Sequence, residues 1–288
     1  MVKILFVYFC IFSSIYANSN EIENKQIIQI SKKSLLIDKI KTFIDNVKYI
    51  ENENFISIIF SPSSNYFTKN RIDDVKVVKT LKENGLLNLF FDKPQELKLS
   101  FKTSSSPIFF IKILGDTLRN IGYYRYVTTE SNFDNSEFIW NISMNAEYAT
   151  DPMILQKELQ KMDSKIINIK RVSAQSWEYT IDMQNAVLDI DTLQVDEEYE
   201  LKRSLYASWL NVSKIQKLKI FSSIRNSWHP KISYYNSSLH LLEVIEKKDK
   251  INNIILNIPK QATYIKISDS YTLKNIKNNL ILTASSLR

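Results

Sequence analysis

Glycine is nearly missing from this chain, at three of 288 residues, whereas it makes up about 7% of an average protein. Loops that cradle phosphate groups need glycine so that the backbone can approach the ligand closely. The three glycines present (Gly85, Gly115 and Gly122) provide no such loop. The composition therefore argues against nucleotide binding through a P-loop or a Rossmann fingerprint.

Cysteine and histidine are also scarce. Cys10 is the single cysteine, and it lies in the apolar part of a predicted signal segment, so the mature chain would have no disulfide and no thiolate site. His229 and His240 are the two histidines, whereas a zinc site usually needs three or four ligands. No G-x-S-x-G nucleophile elbow occurs. We therefore expect no catalytic residue, no cofactor and no metal, and a hydrolase is only the third hypothesis.

The first residues have the pattern of a secretory signal. Lys3 is the basic start, residues 4–12 are apolar, and residues 13–17 are mostly small. The apolar run is too short to span a membrane and suits a signal peptide cleaved near Ala17. Because a eukaryotic secreted protein of this size would usually carry disulfides, we expect a bacterial periplasmic protein with no later transmembrane span. Nucleic acid is not an expected partner.

Residues 18–95 form a region of helices and strands in the predicted organisation. A helix is expected over residues 31–50, with an apolar seam at spacings of four and three: Leu36, Ile40, Phe43, Val47 and Ile50. This heptad spacing allows self-association, but it covers little more than two heptads, so packing on its own domain is the preferred interpretation. We further predict a strand at residues 55–60, a helix from Asp73 to near Gly85, and a stop at residues 92–94.

Residues 96–183 switch between hydrophobic periods of two and 3.6. The order is strand, helix, strand, strand, helix, strand, with one further strand. Pro107 and Gly122 delimit the first helix, and Thr150-Asp151-Pro152 begins the second. A turn is expected at residues 131–136. The βαββαβ order predicts a ferredoxin-like α+β domain whose helices cover one face of an antiparallel sheet and whose last strand extends it.

This order resembles the periplasmic ferredoxin-like domains of pilus, secretion and flagellar assemblies. The resemblance is one of pattern over residues 96–183 and rests on no diagnostic motif. It implies a protein that works within an envelope-spanning machine.

Residues 184–200 contain six acidic residues and no basic one. Asp189 and Asp191 could serve as calcium ligands, but the glycine that a calcium loop uses for its sharp turn does not follow. A solvated acidic linker is the preferred interpretation.

The sequence pattern of residues 201–288 predicts short strands separated by turns, which is typical of a β-sandwich or jelly roll. Seven strands are predicted, at residues 206–212, 217–222, 231–235, 239–245, 253–258, 263–267 and 279–283. The order Trp-x-Pro, Ile-Ser-Tyr-Tyr-Asn and Pro-x-x-Ala-x-Tyr-Ile, starting at Trp228, resembles pre-peptidase C-terminal domains and carbohydrate-binding modules. This resemblance implies a binding module appended to a secreted bacterial protein.

Charge is unevenly distributed along the chain. Residues 201–288 carry 15 Lys and Arg against four Asp and Glu, a formal charge of +11, whereas the whole chain has +7. The excess indicates an anionic partner or docking against the acidic linker; the alternative is lysines that block pairing at strand edges. The candidate partner-binding residues are Lys247, Lys248 and Lys250, placed at the tip of a predicted hairpin, with Arg225 and Trp228.

These observations favour a non-catalytic periplasmic scaffold or adaptor that binds other envelope proteins or an anionic envelope polymer. The second hypothesis is glycan binding, for example to peptidoglycan, through exposed rings of the sandwich. The candidate rings are Trp209, Trp228, Tyr234, Tyr235 and Tyr271.

Overall fold

A computed structural model describes residues 31–134 and 136–286. The predicted signal segment (1–17) and the polar stretch after it lie outside the described residues. The chain divides into two compact units. The first contains residues 31–104 and 114–185, and the second contains residues 105–113 and everything described from residue 186 onward.

Six α-helices are described. They are α1 (residues 31–43), α2 (Asn46–Glu51), α3 (Glu53–Ile59), α4 (Asp74–Glu83), α5 (Pro107–Asn120) and α6 (Pro152–Gln160). Within residues 31–134 and 136–286, none of the helices has both the length and the apolar character needed to cross a membrane. Asp73 and Asp151 cap α4 and α6 as predicted, since their carboxylates accept hydrogen bonds from the backbone N–H groups of Lys76 and Met153.

The first unit is built on a five-stranded sheet. Its strands are β3 (Phe90–Thr103), β4 (Val127–Asp134), β5 (Glu137–Tyr148), β6 (Lys165–Ser173) and β7 (Ser176–Asp182), and a small hairpin of β1 (Phe67–Thr68) and β2 (Arg71–Ile72) precedes them. The order across the sheet is β4-β5-β3-β7-β6. The sheet is mixed, because β3 and β7 pair in parallel.

The position of the last strand corrects the sequence prediction. β7 does not extend the sheet at its edge; it lies between β3 and β6. Burial explains the insertion. Trp177, Tyr179 and Ile181 of β7 are almost completely buried, and an edge strand could not enclose three such side chains as fully as a central strand does.

The strands of the first unit bury the apolar residues that alternate along the sequence. Leu97, Leu99 and Phe101 of β3 are buried together, as are Phe138, Trp140, Ile142 and Met144 of β5. In helix α5, Leu114 and Leu118 of the expected stripe are buried, whereas Ile111 is 38% exposed, so the stripe is confirmed only in part. The alternation with a period of two, and the stripe with a period of 3.6, were both readable in the sequence because each has one face against the core.

Helix 31–50 is not continuous, which is a second correction. α1 ends at residue 43, and Asp45 caps α2 by accepting a hydrogen bond from the N–H of Lys48. The break rotates the end of the predicted seam outward, so Val47 is 66% and Ile50 63% exposed, while Leu36, Ile40 and Phe43 are buried within the first unit. The heptad seam therefore does not exist as one stripe that could support self-association through residues 31–50.

Three shorter predictions were also wrong. Residues 55–60 were expected to form a strand, but residues 55–59 belong to α3, whose Ile56 faces the core. The stop at residues 92–94 and the turn at residues 131–136 both lie largely within strands. Pro94 is accommodated because the pairing of β3 with β5 is irregular between Phe90 and Gln95.

The second unit consists of two four-stranded antiparallel sheets. Its strands are β8 (Glu198–Leu201), β9 (Ser208–Asn211), β10 (Lys217–Ser222), β11 (Pro230–Tyr235), β12 (Leu241–Glu246), β13 (Asn253–Asn257), β14 (Tyr264–Asp269) and β15 (Leu280–Ser285). The sheet orders are β13-β10-β15-β8 and β12-β11-β14-β9. All seven strands predicted from the sequence are present, and β8 is an eighth.

One hydrophobic core lies between these two sheets. It contains side chains from both, including Leu218, Ile220 and Leu282 of the first and Ile232 and Ile265 of the second. The two sheets therefore face each other as a sandwich.

The acidic stretch expected to be a solvated linker contributes to this sandwich. Leu193 is buried in the shared core, its N–H donates to the carbonyl of Asn211, and the N–H of Asp196 donates to the carbonyl of Ala284. Glu198 then begins β8. β8 was not predicted because most residues around it are acidic and exposed, and the few apolar residues between them, which are buried, are too few to give a strand pattern.

Candidate functional site

One end of the sandwich gathers four loops, which we call the basic loop end: residues 202–207, 223–229, 247–252 and 270–279. Each loop leaves one sheet and enters the other, and the antiparallel pairing puts all four at the same end. Loops at the end of a rigid sandwich are common binding sites, because the strands fix their positions while the loop sequences can vary.

The four loops concentrate positive charge. They carry eight Lys and Arg residues and a single carboxylate, Asp249. The cations are Lys202, Arg203, Arg225, Lys247, Lys248, Lys250, Lys274 and Lys277, and each is exposed. Like charges placed this closely repel one another, so the arrangement favours contact with an anion more than it favours folding.

Hydrogen bonds join the loops to each other. The Lys250 ammonium donates to the carbonyl of Ile224 at 3.0 Å, which places the 247–252 loop beside Arg225. The hydroxyl of Ser270 donates to the carbonyl of Lys247 at 3.3 Å, and the N–H of Arg203 donates to Asn279 Oδ1 at 2.9 Å. The cations are therefore carried by one connected surface rather than by four independent loops.

Asn226 is the buried centre of this surface. Its side chain is completely buried and its amide donates to Ser222 Oγ and to the carbonyl of Asn278. Its Oδ1 accepts from the N–H groups of Lys277 and Asn278 at 2.8 and 2.7 Å. With every polar atom of the amide in use, Asn226 fixes the 223–229 loop against the 270–279 loop.

Asp269, at the end of β14, is a second buried side chain that holds these loops through hydrogen bonds. Its Oδ1 accepts from the N–H groups of Tyr271 and Thr272 and from the amide of Asn275. Its Oδ2 accepts from the N–H of His229 at 2.8 Å. A carboxylate that accepts several backbone N–H groups stabilises a tight loop, so Asp269 gives the 270–279 loop a fixed shape.

The structure treats the five sequence-predicted residues differently. Lys247, Lys248, Lys250 and Arg225 do lie together at the basic loop end. Trp228 does not take part, because it is completely buried and its indole N–H donates to the carbonyl of Ser268 at 2.9 Å. The lysines are also not at a hairpin tip, since β12 pairs with β11 and β13 pairs with β10 in the other sheet.

Four of the eight cations of the basic loop end were not predicted from the sequence: Lys202, Arg203, Lys274 and Lys277. Nor were Asn226 and Asp269, whose buried side chains hold the loops. A usable signal was present. Successive strands of an antiparallel sandwich run in opposite directions, so alternate connections share an end. Summing the charges over alternate loops would have revealed the basic loop end.

The acidic stretch enters the sandwich at the end opposite to the basic loop end. Its contacts with the backbone of Asn211 and Ala284 occur where β9 and β15 finish, whereas the basic loop end is where these strands begin. The first carboxylates of the stretch therefore lie away from the basic loop end, whereas Glu200, near the end of β8, accepts a hydrogen bond from the side-chain amide of Asn279 in the basic loop end at 2.6 Å.

The ring side chains proposed for glycan stacking do not form one platform. Trp228 and Tyr234 are completely buried. Trp209 and Tyr235 are half-buried and pack against each other with centroids 4.8 Å apart and planes tilted by 38°. Tyr271 is 64% exposed and meets the ring of His229 edge-on. Glycan binding stays a prediction, without the exposed coplanar pair that it needs.

Exposed apolar side chains accompany the cations at the basic loop end. Leu205, Tyr206, Ile224 and Tyr271 are between 61% and 78% exposed. Each belongs to one of the four loops, and three of the loops contribute. This combination of apolar and cationic side chains was not expected from the sequence.

The first unit has a second surface suited to a partner. A groove with a volume of about 840 Å³ runs between α4 and α6. Apolar side chains such as Val75, Met153 and Ile166 lie along it, together with five cations and two carboxylates: Arg71, Lys76, Lys79, Lys157, Lys165, Asp73 and Glu83. An acidic amphipathic helix would complement such a groove.

No cluster of three or more His, Cys, Asp or Glu side chains that could hold a metal ion occurs within residues 31–134 and 136–286. His229 Nδ1 is 3.8 Å from Asp269 Oδ2, and His240 is exposed on a different loop. The two histidines thus do not converge.

Comparison with known proteins gives no family. No family model matches the chain, and no curated protein matches it. One similar solved structure is the crystal structure of accessory secretory protein 1,2 and 3 in Streptococcus pneumoniae, with 13% identity and a TM-score of 0.19. The match covers 27% of this chain and 55% of that one, so this chain spans about half of its length. A likeness at this TM-score carries no argument about fold or function.

Proposed function

We propose that this protein is a non-catalytic adaptor of the bacterial envelope, located in the periplasm, whose basic loop end binds an anionic partner. The observation that carries the proposal is the set of eight exposed cations against one carboxylate in four connected loops. A positive surface of this kind attracts anions over about 8–10 Å at ordinary salt. The periplasmic location rests on the predicted signal segment.

An adaptor needs a second contact, and the groove between α4 and α6 is suited to provide it. Its five cations and apolar floor would receive an acidic amphipathic segment of a protein partner. The two surfaces belong to different units of the chain, so each can be altered without changing the other. A setting in a secretion, pilus or flagellar machine remains the part of the proposal that rests on pattern resemblance.

The finer fold assignments belong to the same proposal. If the eight strands of the second unit are counted in chain order, one sheet reads first, eighth, third, sixth and the other reads second, seventh, fourth, fifth. This supports a jelly roll made of two Greek keys. In the first unit, the neighbours β4-β5-β3 and the two crossover helices support a ferredoxin-like origin, with β7 inserted beside β3.

The test is capture of partners from envelope extracts by the tagged chain at low and high salt. The variant replaces Lys247, Lys248 and Lys250 with glutamine. We expect its capture to weaken most clearly at low salt, because three of the eight attracting charges are lost while the fold is retained.

A matched control loses the same charge elsewhere. Lys214→Gln, Lys219→Gln and Lys260→Gln remove three exposed lysines that lie outside the basic loop end. Equal capture by the parent and the Lys247/Lys248/Lys250 variant, or equal weakening by both triple variants, would count against the basic loop end as the binding surface. In-cell crosslinking followed by mass spectrometry would identify the neighbours.

A further inference from the structure

We propose that the partner of the basic loop end is an anionic lipid surface, on which the loops dock with their cations on the headgroups and their apolar side chains in the interface. The inference rests on the proposed function, because it specifies the anion that the basic loop end binds. It is carried by an observation that positive charge alone does not explain, namely the exposed apolar side chains among the cations.

Those apolar side chains lie in the same loops as the cations. Ile224 is 78% exposed, Leu205 65%, Tyr271 64% and Tyr206 61%. Each stands in a loop that also carries Lys or Arg: Leu205 and Tyr206 with Arg203, Ile224 with Arg225, and Tyr271 with Lys274. Large apolar groups in water cost free energy unless a partner covers them. A partner that offers negative charge and apolar surface at the same place would satisfy both kinds of side chain.

A bilayer containing anionic lipids offers this combination. Leucine and isoleucine enter the boundary between headgroups and acyl chains, tyrosine prefers the same interfacial level, and lysine and arginine remain at the headgroups. A soluble anionic polymer would meet the cations but would leave Leu205 and Ile224 in water. An acidic protein surface could cover them only with an apolar patch of matching shape.

Hydrogen bonds hold the loops in fixed positions, as docking through a rigid surface requires. Asn226 and Asp269 hold two of the four loops, residues 223–229 and 270–279, through buried hydrogen bonds. Lys250 donates to the carbonyl of Ile224, so a cation is held beside the most exposed apolar side chain. The loops therefore need little reordering when they reach the surface, which lowers the entropic cost of binding.

The experiment is flotation of the purified chain with vesicles of phosphatidylcholine, with and without phosphatidylglycerol. We expect binding only when phosphatidylglycerol is present, and weaker binding at high salt. Replacing Lys247, Lys248 and Lys250 with glutamine should weaken partitioning on the order of 100-fold. The control triple variant of Lys214, Lys219 and Lys260 should change it far less.

A second variant separates lipid docking from simple attraction between charges. Leu205→Ser with Ile224→Ser keeps every charge, and both side chains are exposed, so the fold should be retained; the thermal unfolding curve checks this. We expect the double variant to lose vesicle binding while its binding to soluble polyglutamate stays unchanged. Vesicle binding that is unaffected by the double variant would overturn the inference.

The remaining outcomes distinguish the inference from the proposed function. Salt-dependent capture of an acidic protein or of polyglutamate through the basic loop end, without binding to phosphatidylglycerol vesicles, would overturn lipid docking and leave the adaptor proposal standing. Binding to neither vesicles, polyglutamate nor any envelope component would overturn both.

Discussion

Lys39 of α1, which is half-buried, and the buried Asp74 of α4 form an ion pair, with the Lys39 ammonium 2.7 Å from Asp74 Oδ2. Asp74 also accepts from the N–H of Ile169 at 2.6 Å, and Lys39 donates to the carbonyl of the same residue at 2.8 Å. One helix pair is thereby joined to the edge strand β6. The two residues are 35 positions apart in the chain, and nothing in the local sequence pattern connects them.

The first prediction concerns the strength of this pair. Asp74→Ala should reduce the free energy of unfolding of the first unit by about 1–3 kcal/mol, because it leaves the N–H of Ile169 without its acceptor, while the Lys39 ammonium keeps the carbonyl of Ile169 and the side chain of Asn168. Chemical denaturation followed by circular dichroism measures the change. Glu83→Ala is the control, since its exposed pair with Lys79 at 3.9 Å should contribute no more than about 1 kcal/mol.

The second prediction is a pH dependence with a definite sign. Burial raises the pKa of Asp74 above its usual 3.8, although the nearby Lys39 and the N–H of Ile169 act in the opposite direction. A carboxyl with a raised pKa in the folded state contributes stability below its unfolded pKa and loses it as the pH rises through the folded pKa.

The stability of the parent relative to Asp74→Asn should therefore fall as the pH rises from below 3.8 through the raised pKa of Asp74. Urea unfolding of both proteins across this range measures the difference. A difference that is constant with pH, or one that grows with rising pH, would contradict the assignment.

The third prediction separates Trp228 from the binding surface. Trp228→Ala should destabilise the second unit by about 3–5 kcal/mol, because it removes a completely buried ring. Partner capture per folded molecule should be unchanged, in contrast to the Lys247, Lys248 and Lys250 variant. A stable Trp228→Ala protein with lost capture would restore Trp228 as a contact residue.

The fourth prediction concerns the loops that Asn226 organises. Asn226→Ala should speed hydrogen exchange at Lys277 and Asn278, whose N–H groups donate to the Asn226 side chain, and should cost about 1–3 kcal/mol. Asn257→Ala, on an exposed position of β13, should change neither. Unaltered exchange at residues 277 and 278 in the Asn226 variant would show that the loop is held by other contacts.

The fifth prediction compares two glycines of the same helical region. Gly122 follows α5 with φ of 101°, a conformation that strains any residue with a Cβ, so Gly122→Ala should destabilise the protein by about 1–2 kcal/mol. Gly115 lies inside α5, where an added Cβ would stand 3.6 Å from the Tyr126 hydroxyl. Gly115→Ala should therefore stabilise by about 0.5–1 kcal/mol. Thermal unfolding of both variants gives the two signs.

Local pattern was sufficient where one face of an element meets a core. The strand faces Leu97-Leu99-Phe101 and Trp177-Tyr179-Ile181, the caps of α4 and α6, and seven strands of the sandwich follow from spacing and turn residues alone. Pattern failed at short apolar segments such as residues 55–60. In so short a segment, an apolar period of two cannot be distinguished from a single helical turn, and the packing of Ile56 into the core determines that the segment is helical.

For the candidate site, too, part of the result follows from the sequence and part from the tertiary structure. The sequence by itself determined that residues 201–288 are strongly basic, since charge is a sum over residues and needs no structure. Which cations stand together was decided by the tertiary structure, because antiparallel pairing brings four loops, spread from residue 202 to residue 279, to one end of the sandwich. Burial likewise placed Trp228 inside and Ile224 outside. Both choices depend on how two sheets close over one core, and that is a property of the whole unit.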